Sequence, residues 1–208
     1  MPRHVDHDQR RRQVAEALWR VVAREGLERA TVRAVATEAG LSLGAISHYF
    51  GSQEELQRYA LRLVDERDAA RLAAISHEGT AREVVERYLW ALLPLDEESR
   101  QSNAIYYAFM ARARVVPAFR EIAATVNDEI TDLCRSGIEG LAGEGGIAPG
   151  RDVETLVAEF RALTEGLSFR AAMWPDQTPP ELIRAVVTGW LDALLPAQAP
   201  PPGPPPGD

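Results

Sequence analysis

Apolar residues recur at intervals of three and four positions along nearly the whole chain, and this periodicity restricts the possible folds more than any other feature. Residues at that spacing share one face of an α-helix, and the alternation typical of a half-buried β-strand is absent. We therefore predict an all-α protein. The predicted helices span residues 8–25, 32–39, 43–49, 53–76, 80–93, 97–114, 118–141, 152–173 and 179–195.

Three of these helix starts carry a hydroxyl residue followed three positions later by glutamate. In such a capping box the hydroxyl accepts a hydrogen bond from the backbone amide of the glutamate, whose carboxylate accepts one from the amide of the capping residue. The predicted pairs are Ser52 with Glu55, Thr80 with Glu83, and Thr178 with Glu181.

Charge and hydropathy exclude several classes of protein. Residues 1–58 hold nine arginines against eight acidic residues, a net charge of +1, whereas residues 59–208 hold 14 against 23, a net charge of −9. The longest hydrophobic run, residues 88–95, is far shorter than the roughly 20 residues that cross a bilayer, and no signal-peptide core precedes it. We expect a cytoplasmic protein with no membrane partner.

Residues 32–50 have the pattern of two short helices joined by a tight turn. Ala36, Gly40 and Ile46 occupy relative positions 5, 9 and 15 of a helix-turn-helix. A small side chain at Ala36 lets the second helix approach, Gly40 can adopt the left-handed conformation of the turn, and Ile46 buries the inner face of the second helix. The spacing predicts a helix-turn-helix motif.

The segment 31–56, TVRAVATEAGLSLGAISHYFGSQEEL, resembles the N-terminal DNA-binding domain of TetR-family transcriptional regulators. Glu165-Gly166-Leu167, Trp174-Pro175 and the last amphipathic helix are similar to the end of the subgroup of choline-responsive repressors. The resemblance implies a three-helix helix-turn-helix domain over residues 1–52 and a larger helical effector-binding and dimerisation domain over residues 53–195. The proline-rich residues 196–208 predict a disordered tail.

The resemblance also implies which residues contact double-stranded operator DNA, because the second helix of the motif enters the major groove in this family. Leu43 and Gln53 stand where cationic residues are frequent, so we expect fewer cationic phosphate contacts, for which Arg10, Arg11 and Arg12 could compensate. The predicted DNA-binding residues are Thr31, Arg33, Ser42, Leu43, Ala45, Ser47, His48, Tyr49 and Gln53.

Two late helices carry apolar stripes that predict a twofold dimer interface, a four-helix bundle with two helices from each subunit. The alternative is that both stripes pack inside one subunit. The predicted interface residues are Leu156, Phe160, Leu163, Leu167, Ile183, Val186, Val187 and Trp190, with Gly166 and Gly189 allowing close approach.

Aromatic and methionine residues recur in the middle helices. Any one of them could be an ordinary core residue, whereas the set as a whole suggests that some of them line a ligand pocket. An aromatic box with acids would suit a cationic ligand. The predicted ligand-binding residues are Trp90, Tyr106, Tyr107, Met110, Phe169, Met173 and Trp174, with Asn103, Arg112, Arg114 or Glu165 as orienting polar groups.

The chain has none of the sequence motifs of common hydrolases, nucleotide-binding enzymes or zinc proteases, and we predict that it is not an enzyme and needs no cofactor. His4, Asp6, His7 and Asp8 are metal-ligand types in the N-terminal segment, but nothing there would orient them, so we predict no metal site.

The sequence thus predicts a ligand-responsive transcriptional regulator, most simply a repressor, that binds a palindromic operator as a homodimer and is released by a small-molecule effector. The alternative is a small-molecule-binding or scaffold protein that retains the fold with weak DNA affinity.

Overall fold

Residues 3–194 are described by a computed structural model, with side chains from residue 7 onward. This part of the chain contains α-helices and two short 3-10 turns, Leu27–Arg29 and Pro175–Gln177, and no strand, which confirms the all-α prediction. The predicted disordered tail lies outside the described residues. The helices are α1 (Arg3–Glu25), α2 (Val32–Ala39), α3 (Leu43–Tyr49), α4 (Gln53–Ala73), α5 (Ala81–Leu92), α6 (Glu97–Ala113), α7 (Pro117–Gly143), α8 (Val153–Met173) and α9 (Pro180–Leu194).

Helix α5 begins with the predicted capping box, in which Thr80 and Glu83 satisfy each other's backbone amides. At the start of α4, Ser52 accepts from the Glu55 amide at 3.0 Å, but the Glu55 carboxylate accepts from the amide of Gly51 at 2.8 Å instead of that of Ser52. The first hydrogen bond of the predicted Ser52 capping box is therefore present, and the second is made by the amide one residue earlier.

The third predicted cap is wrong. Helix α9 begins at Pro180, and the buried Thr178 hydroxyl has no hydrogen-bond partner among the described residues. Pro179 precedes another proline, and a residue before proline is disfavoured in the helical region, so the helix starts one residue later than Thr178 would require.

The first hydrophobic core joins α1–α4 to the ends of α6 and α7. Val14 and Leu18 of α1 pack with Ile46 of α3, and the same cluster includes Leu56 of α4 and Phe109 of α6. This core continues across the domain boundary that we predict between residues 52 and 53. Helix α4 therefore belongs to the packing of both parts of the chain.

The second core lies between α5, α7, α8 and α9 and corrects most of the predicted dimer contacts. Five of the proposed interface residues are buried in this core within a single chain, so the prediction that they contact a partner subunit is wrong: Leu156, Phe160, Leu167, Ile183 and Val187. Leu163 and Trp190 are half-buried against the same core, and Val186 alone of the eight is exposed. The alternative, packing inside the subunit, accounts for the two stripes.

The outward faces of α8 and α9 are built from small and aliphatic side chains. We call this surface the small-residue face, and it consists of Ala158, Ala162 and Gly166 on α8 with Leu182, Ala185, Val186, Gly189 and Ala193 on α9, all exposed. No atom of the described residues lies within 4 Å of the position that a Cβ would occupy at Gly166 or Gly189. The face therefore leaves room for close approach of another helix.

No helix of the described part is both long and apolar enough to cross a membrane.

Candidate nucleic-acid interface and effector cavity

The turn of the helix-turn-helix is set by local backbone chemistry. Thr31 caps α2 by accepting a hydrogen bond from the Ala34 amide at 3.2 Å. Gly40 ends α2 in the left-handed conformation, with φ 67° and ψ 30°, which a glycine adopts without steric cost. The amide of Leu41 then donates to the Ala36 carbonyl at 2.9 Å, which closes the turn and aims the chain into α3.

Helix α3 has one buried face and one open face. Ile46 is buried among the residues of α1 and α2, and Ser42 caps the helix by accepting from the Ala45 amide at 3.1 Å. Leu43, Ser47 and His48 project from the opposite side and are exposed. Exposure of Leu43, at 44%, is unusual for a large apolar side chain and matches the apolar contact that a thymine methyl group can accept in the major groove.

The predicted DNA-binding residues lie on three short segments: the start of α2, helix α3 with its cap, and the first residue of α4. Ala45, Tyr49 and Gln53 are half-buried. Thr31, Arg33, Ser42, Leu43, Ser47 and His48 are exposed. Their contacts with DNA stay a prediction, but each of these side chains has accessible surface that DNA could contact.

Of the arginines that could compensate for the missing cations, Arg11 packs against the protein, whereas Arg10 and Arg12 are exposed. Arg11 lies over the rings of Phe50, at 4.7 Å, and Tyr59, at 4.5 Å, and binds the Glu55 carboxylate at 3.3 Å. Arg12 is 3.8 Å from the Glu66 carboxylate. These two side chains fix α1 against α3 and α4, so their charges are partly neutralised within the protein.

Glu38 of α2 forms ion pairs with two more arginines of α1. Its carboxylate binds Arg20 at 2.7 Å and Arg24 at 3.0 Å, and these hydrogen bonds lower the pKa of Glu38. Four of the nine arginines of residues 1–58 are thus paired with carboxylates, whereas Arg29 and Arg33 are exposed.

A cavity of about 360 Å³ lies between α4, α5, α6, α7 and α8. Its volume is in the range of small-molecule sites, which start at about 300 Å³. Leu61, Val64 and Leu72 of α4 supply an apolar wall, and Tyr88 of α5 lies on the lining as well.

Only part of the predicted ligand-binding set lies on the cavity lining, and its contacts with a ligand stay a prediction. Tyr106 and Tyr107 line it, as do Asn103 and Glu165. Met110 and Phe169 instead line a shallower neighbouring groove that shares the two tyrosines.

The remaining predicted ligand-binding residues, Trp90, Met173 and Trp174, lie away from the lining of this cavity. Trp90 stacks under the Arg184 guanidinium at 4.8 Å, and Met173 and Trp174 are half-exposed at the end of α8, so none of the three is on the described lining. Of the predicted orienting arginines, Arg112 lies over the Phe119 ring at 5.8 Å, and neither it nor Arg114 reaches the cavity lining among the described residues.

Two polar groups of the lining are engaged with α8. The Asn103 amide donates to the Ser168 carbonyl at 2.7 Å, and the Tyr107 hydroxyl donates to the Glu165 carbonyl at 3.2 Å. Burial raises the pKa of Tyr107 to about 12, so the phenol stays protonated and remains a donor. These contacts fix the orientation of α6 against α8 around the cavity.

Three carboxyl groups on the lining were missed by sequence reasoning: Asp65 and Asp68 of α4 and Glu129 of α7. A signal was present, because Leu61, Asp65, Asp68 and Leu72 follow one helical face at spacings of four, three and four. An acid in an otherwise apolar stripe is costly to bury unless a partner compensates it.

The environment of Asp65 and Asp68 opposes the ionisation of their carboxyl groups. Burial raises the pKa of Asp68, against the effects of the Ser102 hydroxyl and of Arg67 and Arg71. Burial and then the negative charge of Glu129 raise the pKa of Asp65. A cation placed between these groups would relieve both costs.

The two arginines on the lining are already paired. Arg71 donates to Asp96 at 3.1 Å, and Arg161 binds both the Asn127 side chain, at 2.9 Å, and the Glu165 carboxylate. No ion pair is found for the carboxylates of Asp65, Asp68 and Glu129 among the described side chains. The lining therefore carries three carboxyl groups that have no ion-pair partner among the described side chains, next to tyrosine rings.

Arg67 connects the cavity wall to the N-terminal region. Its guanidinium lies 5.1 Å from the ring centre of Trp19 on α1, donates to the Ser102 hydroxyl on α6, and is 3.4 Å from the Glu98 carboxylate. Ser102 is itself on the cavity lining. Ser102 on the lining is thus linked to Trp19 of α1 through the Arg67 side chain.

Two families match this chain in separate regions. The family described as "Bacterial regulatory proteins, tetR family" matches residues 15–60, and that described as "BetI-type transcriptional repressor, C-terminal" matches residues 81–196. The HTH-type transcriptional regulator PksA of Bacillus subtilis (strain 168) is 32% identical over 195 residues, which covers 93% of this chain and 94% of PksA.

Solved structures have the same architecture. A transcriptional regulator from Rhodococcus sp. Rha1 superposes with a TM-score of 0.74 at 31% identity, covering 88% of this chain and 95% of that one. A putative transcriptional regulator from Saccharomonospora viridis, solved in complex with choline, gives a TM-score of 0.78 at 21% identity, covering 90% and 98%. The second likeness shows the fold alone.

Proposed function

Because this chain belongs to the TetR family of transcriptional regulators and has the BetI-type C-terminal region, we propose that it is a ligand-responsive repressor. In this proposal a homodimer binds a palindromic operator in the cytoplasm, and a small-molecule effector in the cavity releases it. The observation that supports the proposal most directly is that α4 both packs in the same core as the recognition helix α3 and lines the cavity.

The DNA-binding part of the proposal depends on α3. Its core face is buried, its cap is made by Ser42, and its free face presents Leu43, Ser47 and His48. One such helix reads too few base pairs for useful specificity, whereas two related by a twofold axis read two half-sites one helical turn apart. A palindromic operator follows from that symmetry.

The dimer part depends on the small-residue face. Alanine and glycine on α8 and α9 allow helices of two subunits to pack closely, and Leu182 and Val186 would be removed from water. Packing α8 and α9 against the same pair in a partner would form a four-helix bundle.

The effector part depends on the lining of the cavity. The carboxyl groups of Asp65, Asp68 and Glu129, which have no ion-pair partner among the described side chains, lie beside Tyr106 and Tyr107 and favour an organic cation with an apolar body. Choline, which is bound to the structural neighbour from S. viridis, is a cation of this class and a suitable first probe.

Release requires that the effector bind one conformer better than the other. Arg67 holds α4 to Trp19 of α1 and to Ser102 on the lining. An effector that moves Ser102 or Asp68 would alter this contact and with it the separation of the two recognition helices. Its differential affinity for the two conformers sets the size of the response.

The alternative, a ligand-binding or scaffold protein with weak DNA affinity, is favoured by one observation. Arg11, Arg12, Arg20 and Arg24 are all bound to carboxylates of the same chain, so less charge is left for phosphates.

Fluorescence anisotropy on the intergenic DNA beside the gene, with unrelated DNA as control, separates the two functions. We expect selective binding with two subunits per site, weakened tenfold or more by Arg33→Ala or Tyr49→Ala and unchanged by Arg100→Ala on α6. Equal affinity for both DNAs in the wild type would favour the alternative.

Calorimetric titration with choline and phenyltrimethylammonium tests the effector site. Binding should weaken about tenfold in Glu129→Gln and stay unchanged in Glu139→Gln, a position on the same helix that does not line the cavity. Equal binding of a neutral analogue of the same shape would contradict the cationic class.

A further inference from the structure

Three aromatic side chains form a cluster at the end of the recognition helix. The ring of His7, on α1, lies 5.0 Å from that of Tyr49 and 6.2 Å from that of His48, and the last two rings are 5.3 Å apart. Sequence reasoning treats His7 only as one of several metal-ligand types near the N-terminus, because no spacing links it to α3. The fold brings it there by packing α1 against α3.

The position of the cluster determines what it would meet on DNA. The major groove of B-DNA is about 12 Å wide, and an α-helix with its side chains is about 10–12 Å across. A recognition helix therefore fills the groove, and side chains beside its end face the phosphates of the groove wall. Tyr49 is half-buried, and the ring centres of His7, His48 and Tyr49 form a compact triangle in which each ring lies near both of the others.

Among the charged groups around the cluster, Asp8 faces His7, and Arg11 and Arg12 are paired with other carboxylates. The two imidazoles are therefore the groups of the cluster whose charge can change with pH. On α1, Asp8 is the acid facing His7, with its carboxylate 3.9 Å from Nδ1. Also on α1, Arg11 is bound to Glu55 and stacked on Tyr59 of α4, and Arg12 is beside Glu66 of α4. On α3, His48 and Tyr49 complete the cluster.

We propose that His7 belongs to the DNA-contacting surface together with His48 and Tyr49, and that protonation of the two imidazoles strengthens operator binding. The inference depends on the proposed function, since it requires that α3 enter the major groove. Histidine changes charge in the physiological pH range, and its protonated ring donates from both nitrogens. A phosphate oxygen within reach therefore binds the charged ring better than the neutral one.

The direction in which operator affinity changes with pH follows from the linkage between proton binding and DNA binding. Because the phosphate favours the charged form, the complex takes up protons, and operator affinity rises as the pH falls. Asp8 competes with the phosphate for the His7 imidazolium in the free protein. Removing its charge by Asp8→Asn should therefore strengthen operator binding at pH 6 more than at pH 8.

The test is operator affinity at pH 6, 7 and 8 at constant ionic strength, measured by anisotropy with the full chain. We expect binding about tenfold tighter at pH 6 than at pH 8. His7→Gln and His48→Gln should each remove about half of that dependence on a logarithmic scale, and the double variant should remove most of it. His77→Gln is the matched control, because that imidazole is bonded to Tyr88 beside the cavity.

Circular dichroism at each pH checks that the variants are folded. A wild-type affinity independent of pH, or a pH dependence that survives intact in His7→Gln, would overturn the role of His7. Lack of selective DNA binding at every pH would instead contradict the proposed function, so the two failures are distinguishable.

Discussion

Asp68 shows how a single residue can lower the stability of the free protein. Burial raises the pKa of its carboxyl group, so the native state holds this proton to a higher pH than the unfolded chain does. The stability contribution of Asp68 is therefore lost as the pH rises from the ordinary value of 3.8 through the raised value.

We predict that Asp68→Asn increases the free energy of unfolding at pH 7 by up to about 1 kcal/mol and has little effect at pH 3, where both residues are neutral. Urea unfolding at the two pH values measures this difference. Asp132→Asn, at an exposed position on α7, is the control and should show no such pH dependence. An Asp68→Asn variant that is less stable than the wild type at pH 7 would contradict the prediction.

At the same scale, residues with a local physical role were predictable. Gly40 takes the positive φ of the turn and Ile46 the buried position because those roles depend on neighbours in the sequence. Asp65, Asp68 and His7 were not found as candidate site residues, since their environments depend on side chains 34 or more positions away. Glu129 faces Asp65 from another helix, and no spacing in the sequence indicates that pairing.

Among the elements, α5 has the clearest local signal for its start. Thr80 and Glu83 form both hydrogen bonds of the capping box, and these satisfy two amides that lack partners in the helix.

We predict that Thr80→Ala lowers the free energy of unfolding by about 1 kcal/mol. Thr125→Ala is the matched control, because the Thr125 hydroxyl donates to the Glu121 carbonyl within α7 and does not cap a helix. That control should be neutral or slightly stabilising, since alanine has the higher helix propensity. Urea titrations at one fixed protein concentration compare them, and equal losses in both variants would argue against a special role for the cap.

Helix positions were predictable to within a few residues because periodicity and caps are local. The error at Thr178 has the same local origin: the pattern matched a capping box, but two consecutive prolines exclude the helical conformation at Pro179. The apolar stripes of α8 and α9 were located correctly and assigned to the wrong contact. A stripe shows that a face is buried, but not whether the covering helix belongs to the same chain.

For the whole molecule, the small-residue face makes a specific prediction. We expect Val186→Arg to convert a dimer into a monomer in sedimentation equilibrium and to weaken operator binding at least tenfold, because a buried arginine without a partner is costly at a helix interface.

Val115→Arg is the control for this change. Val115 is 75% exposed in the turn between α6 and α7, so the same substitution there should leave the dimer intact. A Val186→Arg protein that remains dimeric would place the subunit interface elsewhere on the surface.

Helix α4 has a practical consequence for the construction of hybrid regulators. A hybrid joined at residue 52 would combine the N-terminal domain of another protein with an α4 whose Leu56 and Ala60 pack in the same core as α1 of this protein. A junction after residue 64 keeps those side chains with their own neighbours and leaves Asp65 and Asp68 with the other residues of the cavity lining. The interchangeable unit of this protein therefore ends in the middle of a helix and not in a loop.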